Sequence, residues 1–399
     1  MKIVYFSETL PPIRDGVSRT LSYLGETLHK ENIDFLFYSP VLPDKEISWG
    51  HRIRPIASIP FTFHNTYKMG LPYFQDLYRQ LDVYKPDIIH VVSPTILGVY
   101  GINYAQRRGI PVVSSYHTHF ISYFPYYGMG SIEGLGWKYL HWFYNRCSAT
   151  YAPSPSAAYA LRKQGVERVE LWQRGIDTTR FSPSFRNEEL RSSIGVDAKT
   201  PILLFVARLV KEKDLDDLIT AARLLEQKRK PFKLVIVGDG PEREYMEREL
   251  PNAHFTGYLA GRDLSEMYAS SDLFIFPSTT ETFGNVILEA FASGLPAVTV
   301  DKGGVADIVT DGINGFIARG NDPKDFSEKI TLLLDNYDFM KRLGYHAKIS
   351  SADYNWDAIN TKLITSYERL TGKYRHTPGI QASVGSVGKS QQIKQTVSS

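Results

Sequence analysis

Two carboxylates eight residues apart, Glu281 and Glu289, frame the stretch of this 399-residue chain best suited to chemistry. The apolar run 272–278 precedes them and reads as a buried strand. Ala290-Phe291-Ala292-Ser293-Gly294-Leu295-Pro296 follows and reads as a helix end stopped by Gly and Pro. One carboxylate therefore belongs to the turn after a strand, and the other lies about two helical turns further on. Between them Gly284 and Asn285 open a helix, whose first backbone N–H groups have no partner within it and suit a phosphate. Hydroxyl acceptors thus flank an anion seat, an arrangement that fits a hydroxyl-rich ligand bearing a diphosphate. Taken alone, the spacing fits equally a solvated loop Glu and a second Glu on a helix.

Three more turns carry suitable groups. After 202–206 come Arg208 and Lys213, a planar fork and a mobile point charge that together suit a diphosphate. After 233–237 comes Gly238-Asp239-Gly240-Pro241, where missing side chains let a ligand approach the backbone. After 297–300 comes Asp301-Lys302-Gly303-Gly304. Ligands of open α/β sheets gather at the carboxyl ends of the strands, so four such turns on one edge point to one site. Asp214-Leu215-Asp216 has the form of a metal-binding Asp-x-Asp. Asp214 stands at an expected helix start, however, where it would cap the helix or complement its dipole, and no metal site is expected.

The elements that must hold these groups follow from hydrophobic patterning. Strand-like runs at 2–6, 35–38, 88–92 and 112–115 alternate with helical stretches, the first over 18–29. A second set begins at 202–206 and continues at 233–237, 254–256, 273–276 and 297–300. Such alternation predicts parallel sheets with crossover helices, and the length suits two doubly wound α/β domains in tandem. The expected plan is a first domain over 1–178, a linker over 179–199 and a second domain over 200–355. A helix over 356–371 is expected to pack back on the first domain. Residues 372–399 have almost no apolar content and are expected to be disordered.

Composition is ordinary for a soluble protein, 43% apolar and 22% charged. The single cysteine, Cys147, excludes an internal disulfide and a cysteine-rich zinc site. No leader and no run of spanning length is evident, so a cytoplasmic location is expected. A net charge of +3 does not suggest nucleic acid. Residues 1–175 hold 18 Lys and Arg against 13 Asp and Glu, and the remainder 28 against 30. The basic first half fits peripheral contact with anionic lipid, or a small solvated surplus. Residues 116–151 are rich in aromatics, and Trp137, Leu140, His141 and Tyr144 fall near one helical face. They suggest contact with a lipid or polyprenyl acceptor, or else a core helix beside a loop.

Arg208 with Lys213, Gly238-Asp239-Gly240-Pro241 and Glu281-x7-Glu289, in this order, resemble the retaining GT-B glycosyltransferases of family 4. The resemblance covers roughly residues 1–371 and is strongest over 200–315. It implies two Rossmann-like domains facing a cleft, a nucleotide-sugar donor held mostly by the second, a lipid or saccharide acceptor, and neither cofactor nor metal. By resemblance, Arg208 and Lys213 would bind the donor diphosphate and Glu281 would accept from sugar hydroxyls. Phe283, Gly284 and Asn285 would seat sugar and phosphate through backbone N–H groups, Glu289 would hold the ribose, and the base would lie near Leu259. Gly16 would approach the diphosphate, although Asp15 replaces the glycine usual before it, and Arg19 would touch the acceptor. His117, in Ser115-Tyr116-His117-Thr118-His119, would contact the donor sugar or the reacting centre. Ser-Tyr-His-Thr-His with Thr-Glu-Thr-Phe-Gly-Asn looks most like bacterial mannosyltransferases and diacylglycerol-directed transferases. That makes GDP-mannose the first expectation and a UDP-hexose the second. A sugar-nucleotide isomerase on the same plan, or a non-catalytic sugar-nucleotide binder, are the alternatives.

Overall fold

The computed structural model describes residues 1–374 apart from 14, 43–46, 62–63, 73–75, 129 and 198. The expectation of disorder at the carboxyl terminus falls, beyond its first three residues, outside the described residues. The chain builds two sheets of parallel strands. The first holds seven strands: β1 (Lys2–Phe6), β2 (Asp34–Ser39), β3 (Ile53–Pro55), β6 (Ile88–Val91), β7 (Val112–Ser115), β8 (Ala149–Ala152) and β9 (Val169–Leu171). Their order is β3-β2-β1-β6-β7-β8-β9. An antiparallel hairpin, β4 (Ser58–Phe61) and β5 (His64–Gly70), stands apart from this sheet.

The second sheet holds β10 (Ile202–Val206), β11 (Lys233–Val237), β12 (His254–Gly257), β13 (Leu273–Ile275), β14 (Ala297–Val300) and β15 (Gly315–Ala318). Its order is β12-β11-β10-β13-β14-β15. The strands read as apolar runs rather than alternations because helices cover both faces. Ile202, Leu203, Leu204 and Phe205, for example, are all fully buried. Strand order reverses between β1 and β6 in one sheet and between β10 and β13 in the other, where doubly wound folds open a crevice.

The helix Trp356–Thr371 follows the second sheet in the chain but packs on the first. Trp356 stacks on Tyr23 with ring centroids 4.7 Å apart, and the Tyr151 and Ser366 hydroxyls are 2.8 Å apart. The Tyr367 hydroxyl lies 2.5 Å from His90 Nδ1, and His90 Nε2 lies 2.5 Å from Ser115. Polar side chains thus fix this helix to the middle of the first sheet, each satisfied in an otherwise apolar interior. In the linker, the Arg191 guanidinium is buried and donates to Asp272 at 2.8 Å, which anchors the approach to β10.

Candidate active site

Loops at the carboxyl edges of both sheets meet in a gap between the domains. The loop after β10 carries Arg208 and Lys213. Its path is fixed by the glycine turn after β11. A Cβ on Gly238, at φ +134°, would lie 1.8 Å from the Ala207 carbonyl oxygen, and one on Gly240 would lie 2.2 Å from that of Leu209. The two turns are stitched together by Leu209 N–H to Asp239 O at 2.9 Å and Glu242 N–H to Leu209 O at 3.1 Å. The space that the sequence suggested for a ligand at Gly238 is therefore filled by the chain's own arginine loop.

Lys213 is half-buried, and its ammonium lies 2.5 Å from the Glu281 carboxylate. Burial pushes the lysine down, but Glu281, with Tyr123 and Glu212 adding to it, outweighs burial and holds the ammonium above its usual range. Arg208 touches Glu212 at 3.4 Å, and its side chain is half-exposed. Asp214 stands at the start of the following helix, as expected, but its side chain caps no N–H group there. Its backbone is left-handed, at φ +52°, and its side chain accepts from Thr279 N–H at 2.7 Å and from the Tyr126 hydroxyl at 2.6 Å.

The helix Asn285–Ala292 begins behind Gly284, which is left-handed at φ +100° and supplies no capping side chain. Ile287 N–H donates to Gly284 O at 3.0 Å, and no side chain caps the N–H groups before it. Gly304 N–H donates to Glu281 O at 2.7 Å and holds the preceding turn. Phe283 is buried behind the turn against Tyr354. Glu289 is almost fully buried. Tyr268 donates to it at 3.0 Å, and Arg19 reaches across from the first domain to pair with its other oxygen. Arg19 is thus bound to the second domain rather than turned toward an acceptor. Leu259 follows β12, two strands from β10, and is half-buried.

From the first domain, a Cβ on Gly16 would lie 3.4 Å from Asn285 Nδ2, so the two glycine-bearing loops abut. Asp15 serves in place of a glycine because its backbone is extended. It caps the helix Gly16–Lys30 by accepting from Ser18 N–H at 2.7 Å, and it accepts from the Thr9 hydroxyl at 2.8 Å.

His117 lies two residues after β7, and its carbonyl accepts from Thr282 of the second domain at 2.8 Å. Its Nδ1 lies 3.0 Å from the Arg174 guanidinium. A guanidinium only donates, so Nδ1 accepts and the ring proton sits on Nε2. That Nε2 is buried and has no hydrogen-bond partner among the described residues. Burial first, then the charges of Arg174 and His90, drives the imidazole pKa far below its usual value. His117 is therefore a neutral donor held ready for an oxygen.

Arg174 escaped the sequence reading. Its one signal is its place just after β9, at the same sheet edge. Burial pulls it down to about 9, and it is held by Trp172 O at 2.6 Å. The aromatic region divides as well. On the helix Glu133–Tyr144, Leu140, Phe143 and Tyr144 enter the core, whereas Leu135, Tyr139 and Trp142 form an exposed stripe at helical spacing. The expected face of Trp137, Leu140, His141 and Tyr144 is thus split: His141 is exposed and Trp137 half-buried.

Residues 14–180 match the family described as Glycosyltransferase Family 4, and residues 186–350 match Glycosyl transferases group 1. A GDP-mannose-dependent alpha-mannosyltransferase of Mycobacterium tuberculosis (strain CDC 1551 / Oshkosh) is 32% identical, over 94% of this chain and 98% of that protein. An alpha-monoglucosyldiacylglycerol synthase of Streptococcus pneumoniae (strain ATCC BAA-255 / R6) is 28% identical, over 80% of this chain and 76% of that one. Among solved structures, a sucrose-phosphate synthase from Thermosynechococcus elongatus superposes with a TM-score of 0.78 at 19% identity, covering 94% of this chain and all of that one, a likeness of fold. With both halves matched and identity sustained along almost its whole length, this chain belongs to the GT-B glycosyltransferases of family 4.

Proposed function

We propose that this glycosyltransferase moves mannose from GDP-mannose to a hydroxyl of a lipid or glycolipid acceptor, retaining the anomeric configuration and using no metal ion. The meeting of Arg208, Lys213, Glu281 and His117 in one gap carries the reading. The end-to-end likeness to a GDP-mannose-dependent enzyme supports the donor. Arg208, Lys213 and the N–H groups of the helix Asn285–Ala292 would take the diphosphate and stabilise the charge that grows as it leaves. Glu281, fixed by Lys213, would accept from sugar hydroxyls, and the free Nε2–H of His117 would donate to a sugar oxygen. Glu289 keeps lone pairs beyond those used by Arg19 and Tyr268, and these would take ribose hydroxyls. The base would lie near Leu259.

In the reaction the acceptor oxygen forms a bond to the anomeric carbon on the face from which the phosphate oxygen departs. The acceptor's proton passes to that phosphate oxygen. The Asp-x-Asp carboxylates are otherwise engaged, Asp214 with Thr279 and Tyr126, and Asp216 with Tyr245 at 2.9 Å. This engagement supports a metal-free mechanism.

The exposed Leu135, Tyr139 and Trp142, with Arg146 stacked 4.8 Å over Trp142, would rest on an anionic membrane at the cytoplasmic face. The name of the streptococcal relative supports a lipid acceptor. No helix among the described residues is long and apolar enough to cross a membrane.

Thermal shift with GDP-mannose, UDP-glucose and ADP-glucose tests the donor, since a ligand specific to the native state raises its stability. Turnover in chelator, with the product's anomeric configuration read by NMR, tests the rest. A larger shift with UDP-glucose replaces the donor. An inverted product, or loss of turnover in chelator, sinks the mechanism.

A further inference from the structure

Glu8 follows β1 directly, at the crevice where strand order reverses between β1 and β6. The Thr95 hydroxyl donates to its Oε1, and the same hydroxyl accepts from Gly98 N–H at 3.3 Å to cap the helix Ile96–Arg108. Glu8 Oε2 is buried and has no hydrogen-bond partner among the described residues. None of the ion pairs formed among them includes Glu8. Burial lifts the carboxyl to about 7, with Thr95 and its own backbone amide opposing.

Tyr139 stands near Glu8. Its hydroxyl donates to Pro94 O at 2.9 Å, and burial followed by the charge of Glu8 raises its pKa. A carboxylate oxygen withdrawn from water with no donor is destabilising, so its retention at a ligand crevice calls for a ligand.

We infer that Glu8 positions the acceptor, its unpaired oxygen taking a hydroxyl of the head group, and that the acceptor carries a hydroxyl-rich, sugar-like head. The inference rests on the transferase reading above and names the acceptor class for it. The chemistry occurs beside His117, just after β7. One strand, β6, separates β7 from β1. Two strand spacings are about 10 Å, so the hydroxyl at Glu8 is not the one that attacks. A simple diglyceride has only one free hydroxyl and would leave Glu8 unfilled.

The test compares octyl α-D-glucopyranoside with dioctanoylglycerol as acceptors at pH 8. Glu8→Gln keeps an oxygen for Thr95 but can present an amide NH2 where the unpaired oxygen stood. It should raise the KM for octyl glucoside tenfold or more, as for one lost bond to a charged group. The KM for GDP-mannose should move less than twofold. Glu8→Asp should recover part of the loss, and Thr95→Val should have a smaller effect than Glu8→Gln. An unchanged acceptor KM, parallel changes in both KM values, or transfer to dioctanoylglycerol but not to octyl glucoside overturns the inference, as does transfer to neither. Failure of the donor reading appears separately, as no thermal shift of the unaltered enzyme by GDP-mannose. If UDP-glucose proves effective, the same acceptor comparison is made with it.

Discussion

Alanine at position 238 would place its Cβ 1.8 Å from the Ala207 carbonyl oxygen and 2.9 Å from its carbon. A relaxed carbon–oxygen contact is about 3.3 Å, so the two loops would have to part by roughly 1.5 Å. They are not free to do so. Ala207 N–H binds Val237 O at 3.1 Å, Gly238 N–H binds Gly257 O at 2.8 Å, and Leu209 N–H binds Asp239 O at 2.9 Å. The displacement passes to the next residue, Arg208. A misplacement of about 1 Å near the chemistry is worth on the order of 100-fold in rate. The positive φ adds strain of about 1–3 kcal/mol. Gly238→Ala is therefore expected to fold with a lowered melting temperature and to lose about 100-fold in kcat at saturating donor. Steady-state kinetics with a melting curve decides the matter. An unchanged melting temperature with only a raised donor KM would mean that the glycine clears space for a ligand, and the chain-crossing argument would be wrong.

Lys213→Ala removes one of the two cations proposed for the leaving diphosphate and strips Glu281 of its partner. Turnover should fall by about 100-fold or more in protein that circular dichroism shows to be folded, and near-normal turnover would refute the role. Asp272→Asn breaks a buried ion pair and should destabilise the protein by about 3 kcal/mol in urea unfolding. Burial pushes Asp272 up, but Lys341, the Ile202 amide and Arg191 together outweigh it and hold it below its usual range. Its contribution is present above its unfolded pKa of 3.8 and lost as pH falls through the lower folded value, so Asp272→Asn should unfold with a shallower acid dependence. Glu8 has the opposite sign. Its folded carboxyl titrates at about 7 against 4.5 unfolded, so the folded state keeps a proton that the unfolded state gives up, and stability falls as pH rises between them. Glu8→Gln should gain up to about 3 kcal/mol relative to the parent between pH 4 and pH 8, and a difference that stays flat with pH would contradict this.

The strands visible in sequence were β1, β2, β6, β7 and β10 to β14, most of them with a buried run and only β12 mainly half-buried. Those that escaped are β3, β8, β9, β15 and the hairpin. Ala149-Thr150-Tyr151-Ala152 and Val169-Glu170-Leu171 are too short and mixed to announce a strand; the first forms on the open ladder of β7, and the second on that of the first. Tertiary context overrides local preference there. The same limit explains the site. Arg208 with Lys213, and Glu281 with Glu289, could be read as two pairs because strand, turn and helix place each pair in one short stretch of chain. Arg174 was not, since its meaning depends on lying 3.0 Å from a histidine 57 residues earlier. Asp214 looked like a cap because a helix follows it, but a left-handed backbone turns its carboxylate to the neighbouring loop.

The tyrosines of the aromatic region have the largest consequence. Tyr126 and Tyr127 looked like acceptor residues in sequence, yet their hydroxyls donate to Asp214 at 2.6 Å and Glu212 at 2.7 Å, on either side of Lys213. Glu212 in turn touches Arg208. The first domain therefore grips the segment that carries both cations proposed for the donor. The segment 125–127 continues toward the helix that bears the exposed Leu135, Tyr139 and Trp142. A displacement of that helix by an acceptor or a membrane is expected to reach Arg208 through the Tyr127 hydroxyl and the Glu212 carboxylate. Tyr126→Phe with Tyr127→Phe removes the grip and keeps the rings. It should lower transfer to a membrane-borne acceptor more than the binding of GDP-mannose measured by thermal shift. Equal losses in both would show that the two tyrosines only hold the cation loop in shape.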